Sequence, residues 1–312
     1  MYILRAMAST KKSSWRRSME PRLKELRFNL YRIRNNPISL IGLGLIIFNI
    51  VIALIAPVIV PPNRPNPYKI PKIFSTEPLP PTSEHPFGTS GPSGYYDIFY
   101  GVVWGSRMSL RISFTVITAA LAIGIIIGTI AGMCGGIIDE VLMRTTDVFF
   151  ALPGLVLAMA VASVLGRTIM NLMGALIITW WPGFARLIRG EVLKIKQETY
   201  VEAARAVGAD FFTIMFKHVL PNAIFPVIIT ASMNLGSIVM AAATLSFLGL
   251  GAEPGTAEWG AIISEGRNWM LQGAWWTTFF PGMAIFIYVL GWNLLGDAFR
   301  DILDPKLRRT IL

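Results

Sequence analysis

From Ile38 to Val60 the chain runs without a single ionisable side chain, and that stretch decides what kind of fold is open to it. It approximates the ~20 apolar residues an α-helix needs to cross a bilayer. In hydrocarbon, every backbone N–H and C=O must find its partner inside the protein, so such a run is predicted to be a helix. Five more apolar runs follow, at about Ser109 to Met133, Arg144 to Leu165, Thr168 to Leu187, Asn222 to Leu248 and Phe279 to Phe299. The composition fits one lipid-embedded domain, with 54% of the 312 residues hydrophobic and only 15% charged, against roughly 25% charged in soluble domains. The expected fold is all-α: a polytopic membrane protein of six transmembrane helices.

Breakers and small residues punctuate these runs. Pro153-Gly154 interrupts the third, Trp180-Trp181-Pro182 lies inside the fourth, and Gly42, Gly44, Pro226 and Gly236 lie in others. Breakers are tolerated in membrane helices where neighbours satisfy the freed backbone, and small residues allow close packing. Gly124, Gly128 and Gly132 recur at i, i+4 on one helix face, which predicts a tight contact in a bundle whose elements can shift.

Charge sets the topology. The net charge is +10, but the basic residues are clustered: ten of the 28 Lys and Arg precede Pro37, six lie from Arg186 to Lys217, and four from Arg300 to Arg309. Flanking apolar runs in this way, they mark the cytoplasmic side and argue against a nucleic-acid surface. Six crossings then put both termini and the Arg186–Lys217 region in the cytoplasm of a cell-membrane protein. Arg64, Lys69, Lys72, Arg107 and Arg111 break the rule mildly on the other side.

The organisation follows: a basic cytoplasmic segment (1–37), a first transmembrane helix (38–60), a Pro-rich external loop (61–108), a five-helix core (109–299) containing a cytoplasmic loop (189–221), and a basic tail (300–312). The first segment is too long for the charged region of a cleaved signal peptide. Its Leu23, Leu26, Leu30 and Ile33 suit a helix lying on the lipid surface. Eleven of the twenty prolines fall between Pro57 and Pro92, so that loop is predicted to be extended. Residues Cys134 to Val141 read as a short turn, and Gly249 to Thr278 as an external segment holding Glu253, Glu258, Glu265 and Arg267.

No catalytic constellation is present. His85 and His218 fall on opposite sides of the membrane, and Cys134 stands alone, so neither a metal cluster nor a disulfide is expected. No Gly-Lys pair occurs, which removes a phosphate-cradling Walker loop. ATP chemistry, if used, must be borrowed, and no cofactor is expected. Within the spans ionisable residues are nearly absent, and Asp147 and Asp297 sit close to the cytoplasmic ends, so an ion or proton relay is not expected. Asn234, Ser237 and Asn293 remain as candidates to line a pathway, with interhelical hydrogen bonding as the plainer alternative.

The stretch Tyr200 to Pro226 is a polar island. Gln197 to Val207 has good helix formers with the small faces Ala203, Ala204 and Ala206. Gly208 is placed to end that helix and Asp210 to cap the next. Phe212, Met215 and Phe216 then share a face by i, i+3, i+4 spacing, and Pro221 fits the first turn of the helix that follows. Two short helices meeting at a bend would make a knob for a partner's groove; a loop lying on lipid through its aromatics is the alternative.

Glu202-Ala203-Ala204, with Gly208 and then Leu220-Pro221, resembles the EAA loop of ABC importer permeases. Around it, His85-Pro86-Phe87-Gly88-Thr89, Leu142 to Asp147 with Pro153, Trp181 to Arg186, Ser246 to Gly251, Trp259-Gly260, and Asn293 to Asp297 through Asp304-Pro305 follow in order. Together they are similar to the second membrane subunit of the dipeptide and oligopeptide importers over about His85 to Arg308. One departure stands out: Ser90 replaces an Asp and Tyr96 stands about where the family has Arg, while Asp97 is kept and two extra residues intervene.

The resemblance implies a type I ABC importer permease fold with a cytoplasmic coupling helix. It also implies a second homologous permease forming a heterodimer, two ABC ATPase subunits and an extracytoplasmic solute-binding protein. It makes Glu202, Ala203, Ala204, Arg205, Gly208, Ala209, Asp210, Leu220 and Pro221 the ATPase-coupling residues. The cargo it implies is di- or oligopeptides, with oligosaccharides or nickel carried by related permeases. The rival from another class is a stand-alone secondary carrier, which the scarcity of intramembrane acids disfavours.

Overall fold

The computed structural model describes residues 36–303 apart from 74, 76 and 92–94. The surface helix expected around Leu23 to Ile33 and most of the basic tail lie outside the described residues.

Helix α1, Pro37–Ile59, starts where Asn36 accepts a hydrogen bond from the Ile38 N–H at 3.0 Å with Pro37 in the first turn. It buries Ser39, Gly42, Ile46, Asn49, Ala53 and Ala56, a seam of i, i+3, i+4 spacing. The rest of its surface stays apolar and exposed, including Ile41, Phe48, Leu54 and Val58, as lipid requires. The seam is small because it meets α9 (Trp276–Leu303): a Cβ on Gly42 would sit 2.7 Å from Leu294 Cβ.

The proline-rich loop is not wholly extended. Three short stretches of it form an antiparallel sheet of order β1-β3-β2, with β1 Lys72–Ile73, β2 Thr89–Ser90 and β3 Tyr95–Asp97. Asp97 then caps α2, accepting from the Tyr100 N–H at 2.8 Å. Helix α2, Ile98–Cys134, is 37 residues long, about 55 Å at 1.5 Å per residue. It therefore begins well before the expected span at Ser109, because the aromatic segment Ile98 to Met108 packs against the sheet and the loop rather than ending at the lipid boundary.

The expected turn over Cys134 to Val141 contracts to Gly135 alone. Gly135 and Gly136 take φ of +68° and +55°, so the chain reverses at once and α3, Gly136–Phe150, begins immediately. Helix α4, Gly154–Leu165, follows at 85° across Pro153. The third run is thus a bent pair. Helix α5, Ile169–Ile195, passes straight through Trp180-Trp181-Pro182 and continues beyond the expected end at Leu187. Its partner is α2: Cβ atoms on Gly124, Gly128 and Gly132 would run into Phe184, Ala185 and Val192 of α5.

Helix α6, Thr199–Ala206, is followed by α7, continuous over Phe211–Phe247. The segment expected to lie between them as a second short helix is therefore the first part of α7, joined through a π-helical turn at Ile214–Val219. Gly249 to Thr278 is not simply a loop, since it contains α8, Trp259–Met270. By length and apolarity four helices (α1, α2, α7, α9) qualify as spans, or five if the α3–α4 pair counts as one. Helix α5, the remaining candidate of the six expected, is 27 residues long but carries Arg186, Arg189 and Glu191 in its second half.

These helices define two poles. At the sheet pole, Trp104 donates to the carbonyl of Val60 and Ala257 to that of Tyr68, joining the end of α1, the start of α2 and the α7–α8 loop. At the elbow pole, Lys196 donates to the carbonyl of Met133 at 2.8 Å, joining the ends of α2 and α5 beside α3. His85 and His218 lie at opposite poles.

Candidate functional site

The polar island folds into an elbow whose geometry is set by its caps. Helix α6 ends in a Schellman arrangement: the Ala209 N–H reaches the Ala204 carbonyl at 3.0 Å and the Gly208 N–H reaches that of Arg205 at 3.0 Å. This places Gly208 at φ +88°, with open space around its α-carbon, so glycine is needed for the backbone and not for packing. Two residues later the Asp210 carboxylate accepts from the N–H groups of Phe212 and Thr213, each at 3.1 Å, and starts α7. The Thr213 hydroxyl first, and then these backbone groups, hold the Asp210 carboxyl below the usual carboxylate range.

The π turn has a physical cause in Pro221. A proline inside a helix removes one N–H and drives its ring at the carbonyl four residues back, here that of Lys217. Widening the preceding turn relieves this, and the Leu220 N–H bonds five residues back, to Met215. The face expected to carry Phe212, Met215 and Phe216 is split. Ile214, Met215 and Val219 are buried, while Phe212 and Phe216 remain 65% and 57% exposed.

Helix α6 is pinned by few contacts. Val201 is fully buried. The Tyr200 hydroxyl donates to the His218 carbonyl at 3.4 Å, and the Asn222 amide donates both to that carbonyl at 2.7 Å and to the Tyr200 oxygen at 3.2 Å. The opposite face is left open: Glu202, Ala203, Arg205, Gly208, Asp210 and Pro221 are exposed, while Ala204, Ala209 and Leu220 are half-buried. The elbow thus offers an acid, a base and apolar tips, Val207 at 85% exposure among them, on a backbone with little freedom to yield.

Behind the elbow, three basic residues that read as topology signals are also structural. Arg189 grips Asp139 of α3 with two N–H groups, at 2.5 and 2.6 Å. Arg186 pairs with Asp147 at 2.7 Å and lies 4.2 Å over the Phe150 ring, and Lys196 closes the end of α2. The sequence reading missed these pairs and the Tyr200–Asn222 clasp. The only sequence signal for them was the placement of Asp139 and Asp147 four residues to either side of Met143, facing a helix with arginines three apart.

Asn234 and Ser237 lie on α7 and Asn293 on α9. Gly236 between the first two packs on Val289 and Trp292 of α9. None of the three side chains makes a hydrogen bond to another described residue, and Ser237 and Asn293 are exposed. The interhelical hydrogen bonds expected as the plainer alternative are therefore not formed among the described residues.

At the sheet pole the His85 to Asp97 motif closes on itself. His85 Nδ1 lies 2.7 Å from Asp97 Oδ2, and Thr89 pairs with Asp97 in the sheet. Ser90, in place of the family's Asp, is buried with its hydroxyl unbonded. Tyr96 packs its ring on Gly255 in the α7–α8 loop, 2.8 Å from where a Cβ would lie. Helix α8 starts from Glu258, which is fully buried and accepts from the N–H groups of Gly260 and Ala261 at 3.0 and 2.8 Å. Burial raises the Glu258 carboxyl, against the opposing Ser246 and backbone hydrogen bonds.

Residues 124–309 match the family of binding-protein-dependent transport system inner membrane components, and residues 29–81 match the N-terminal TM domain of oligopeptide transport permease C. The chain is 37% identical to the probable D,D-dipeptide transport system permease protein DdpC of Escherichia coli over 91% of this chain and 94% of that one. It is 47% identical to the glutathione transport system permease protein GsiD of Pectobacterium atrosepticum over 55% of this chain, a stretch spanning only 57% of that relative. A chain of the methionine ABC transporter MetNI, solved in inward-facing conformations, superposes with a TM-score of 0.51 at 20% identity, covering 66% of this chain and 97% of that one. The bundle is accordingly that of a type I importer permease, and the chain belongs to the binding-protein-dependent inner membrane components of ABC importers, multi-pass transport subunits rather than enzymes.

Proposed function

We propose that the chain is one of two homologous permease subunits of an ATP-driven importer for di- or oligopeptides, and that the elbow is where an ATPase engages it. The observation that carries this reading is the elbow itself: Glu202, Ala203, Arg205 and Gly208 open on one side, backbone caps and the Tyr200 clasp on the other. Ala204, Ala209, Asp210, Leu220 and Pro221 complete the coupling set.

The mechanism follows from stiffness. A push on α6 passes through the Schellman turn and the Asp210 cap into α7, which runs 37 residues without a break. Helix α7 is therefore a lever from the ATPase to the far pole, where α8 packs against it. In this reading the elbow pole and both termini are cytoplasmic, which puts the Pro-rich loop (61–108), the sheet and α8 where a solute-binding protein docks. Asn234, Ser237 and Asn293 face the pathway, since unpaired polar side chains are poorly suited to lipid. The peptide cargo is supported by the near full-length likeness to a D,D-dipeptide permease.

Native mass spectrometry of the importer, purified gently from its membrane with the binding protein attached, tests the proposal. Two different permeases, two ATPases and a ladder of peptide masses are expected. Sugar-spaced masses would replace the cargo, and a chain isolated without an ATPase would overturn the coupling role.

A further inference from the structure

The five basic residues that break the charge rule at the sheet pole are not alike in the fold. Lys69 is neutralised, its Nζ 2.8 Å from Glu253 Oε2 and 3.4 Å from the Thr256 hydroxyl. Arg107 lies 5.3 Å from the centroid of the Trp104 ring. Arg111 differs: among the described residues its exposed guanidinium has no ion pair, hydrogen bond or ring partner. It sits in α2 one turn beyond the segment Ile98 to Met108 that packs on the sheet and the loop, at the sheet-pole end of the span expected from Ser109. Near a span end an arginine reaches water through its long stem, so what marks Arg111 is its surroundings rather than its depth.

Two features surround it. Arg111 lines a cavity of about 230 Å³ together with Asn66, Lys69, Thr168, Glu253 and Thr256, between the start of α2, the start of α5 and the α7–α8 loop. That is two cations against one carboxylate already engaged by Lys69. Along α2, Thr115, Thr118 and Ala122 follow at i+4, i+7 and i+11, all exposed on the face of Arg111, and neither threonine hydroxyl is hydrogen-bonded among the described residues. Phe114, Ile123, Ile126 and Ile130 are the large apolar residues α2 exposes nearby. A face with one arginine and two free hydroxyls suits water or solute, not hydrocarbon.

We propose that Arg111 forms a carboxylate-binding subsite at the sheet-pole mouth of the pathway, which takes the C-terminal carboxylate of the transported peptide, with Thr115 and Thr118 as the next stretch of wall. A guanidinium matches a carboxylate through two parallel N–H···O bonds, a fit that an ammonium lacks. The cavity is below the roughly 300–1,000 Å³ of pockets that enclose a whole ligand, so it holds a peptide terminus and leaves the remainder in the pathway. The ligand assignment rests on the peptide-importer reading.

The test uses the assembled permease–ATPase complex without its binding protein, melted with saturating trialanine or trialanine amide. Trialanine is expected to raise the wild-type midpoint by roughly 2–4 °C and the amide to leave it unchanged. Arg111→Gln loses the shift and about tenfold in apparent affinity, while Arg111→Lys keeps part of it, with all three complexes melting alike in the absence of peptide. Equal shifts from acid and amide, or a wild-type response from Arg111→Gln, would overturn the subsite. Should Arg111→Gln fail to assemble, Thr115→Val with Thr118→Val is expected to weaken the trialanine shift, and an unaltered shift counts against the proposal. Uptake of trialanine is measured separately on the complete wild-type importer. Its absence overturns the peptide reading and this ligand with it, whereas uptake alongside an unshifted wild-type melt overturns the subsite alone.

Discussion

Arg189 of α5 holds Asp139, in the first turn of α3, through two N–H···O bonds of 2.5 and 2.6 Å, and both side chains are mostly shielded from water. This pair fastens the bent α3–α4 pair to the helix that leads into the elbow. Bidentate charge-assisted bonds are the strong kind, and removing one partner strands the other charge. Asp139→Ala is expected to cost about 1–2 kcal/mol of stability, read as a lower unfolding midpoint of the purified protein. The more exposed Glu140–Arg144 pair, at 3.9 Å, is the contrast: Glu140→Ala should change the stability by no more than about 0.5 kcal/mol.

Glu202 is exposed and its side chain makes no hydrogen bond or ion pair among the described residues, so its replacement should leave the fold alone. Glu202→Ala is expected to preserve the melting midpoint while uptake by the assembled importer falls at least tenfold. Normal uptake with normal assembly would remove Glu202 from the coupling set.

Gly208 at φ +88° meets no neighbouring atoms, which separates backbone strain from steric conflict. Gly208→Ala should cost about 1–2 kcal/mol through conformation alone. The consequence to look for is weaker co-purification of the ATPase, because the angle between α6 and α7 shifts.

A Cβ on Gly128 would collide with the carbonyl oxygen of Ala185, whereas one on Gly44 meets nothing within 4 Å. Gly128→Ala is expected to force α2 and α5 apart at a cost of about 1–3 kcal/mol. Gly44→Ala should be neutral within about 0.5 kcal/mol. Equal effects in an unfolding titration would contradict the close helix contact.

Glu265 of α8 accepts from the Gly255 N–H at 2.6 Å, and burial pushes its carboxyl up to about 7. The folded state therefore keeps a proton that the unfolded chain releases near 4.5. Stability from this group is full below about 4.5 and is lost as pH rises through about 7. Melting midpoints are expected to fall from pH 5 to pH 8 in the wild type, and Glu265→Gln, which keeps an acceptor for Gly255, should flatten that slope.

What was legible in the sequence is what local chemistry controls. The stop at Gly208 and the cap at Asp210 each depend on residues within a turn or two and both appear as expected, whereas of the six expected apolar runs four qualify as spans, or five with the bent α3–α4 pair. The π turn was not legible, because a proline in an early turn fits an ordinary helix start equally well, and only the continuity of α7 with the preceding segment forces the widening. Helix α8 was hidden because its cap, Glu258, looks like one more surface acid until the fold buries it.

The sequence alone thus determined that the chain is a helical membrane protein with a polar elbow, since backbone hydrogen bonding in lipid and the conformations of glycine, proline and aspartate leave few other solutions. Only the tertiary structure decided which charges are spent and which are free. Arg186, Arg189, Lys196 and Lys69 are each answered by a group from a distant part of the chain, and Arg111 by none among the described residues. Pairing at such separations depends on how helices pack side by side, which no local pattern encodes.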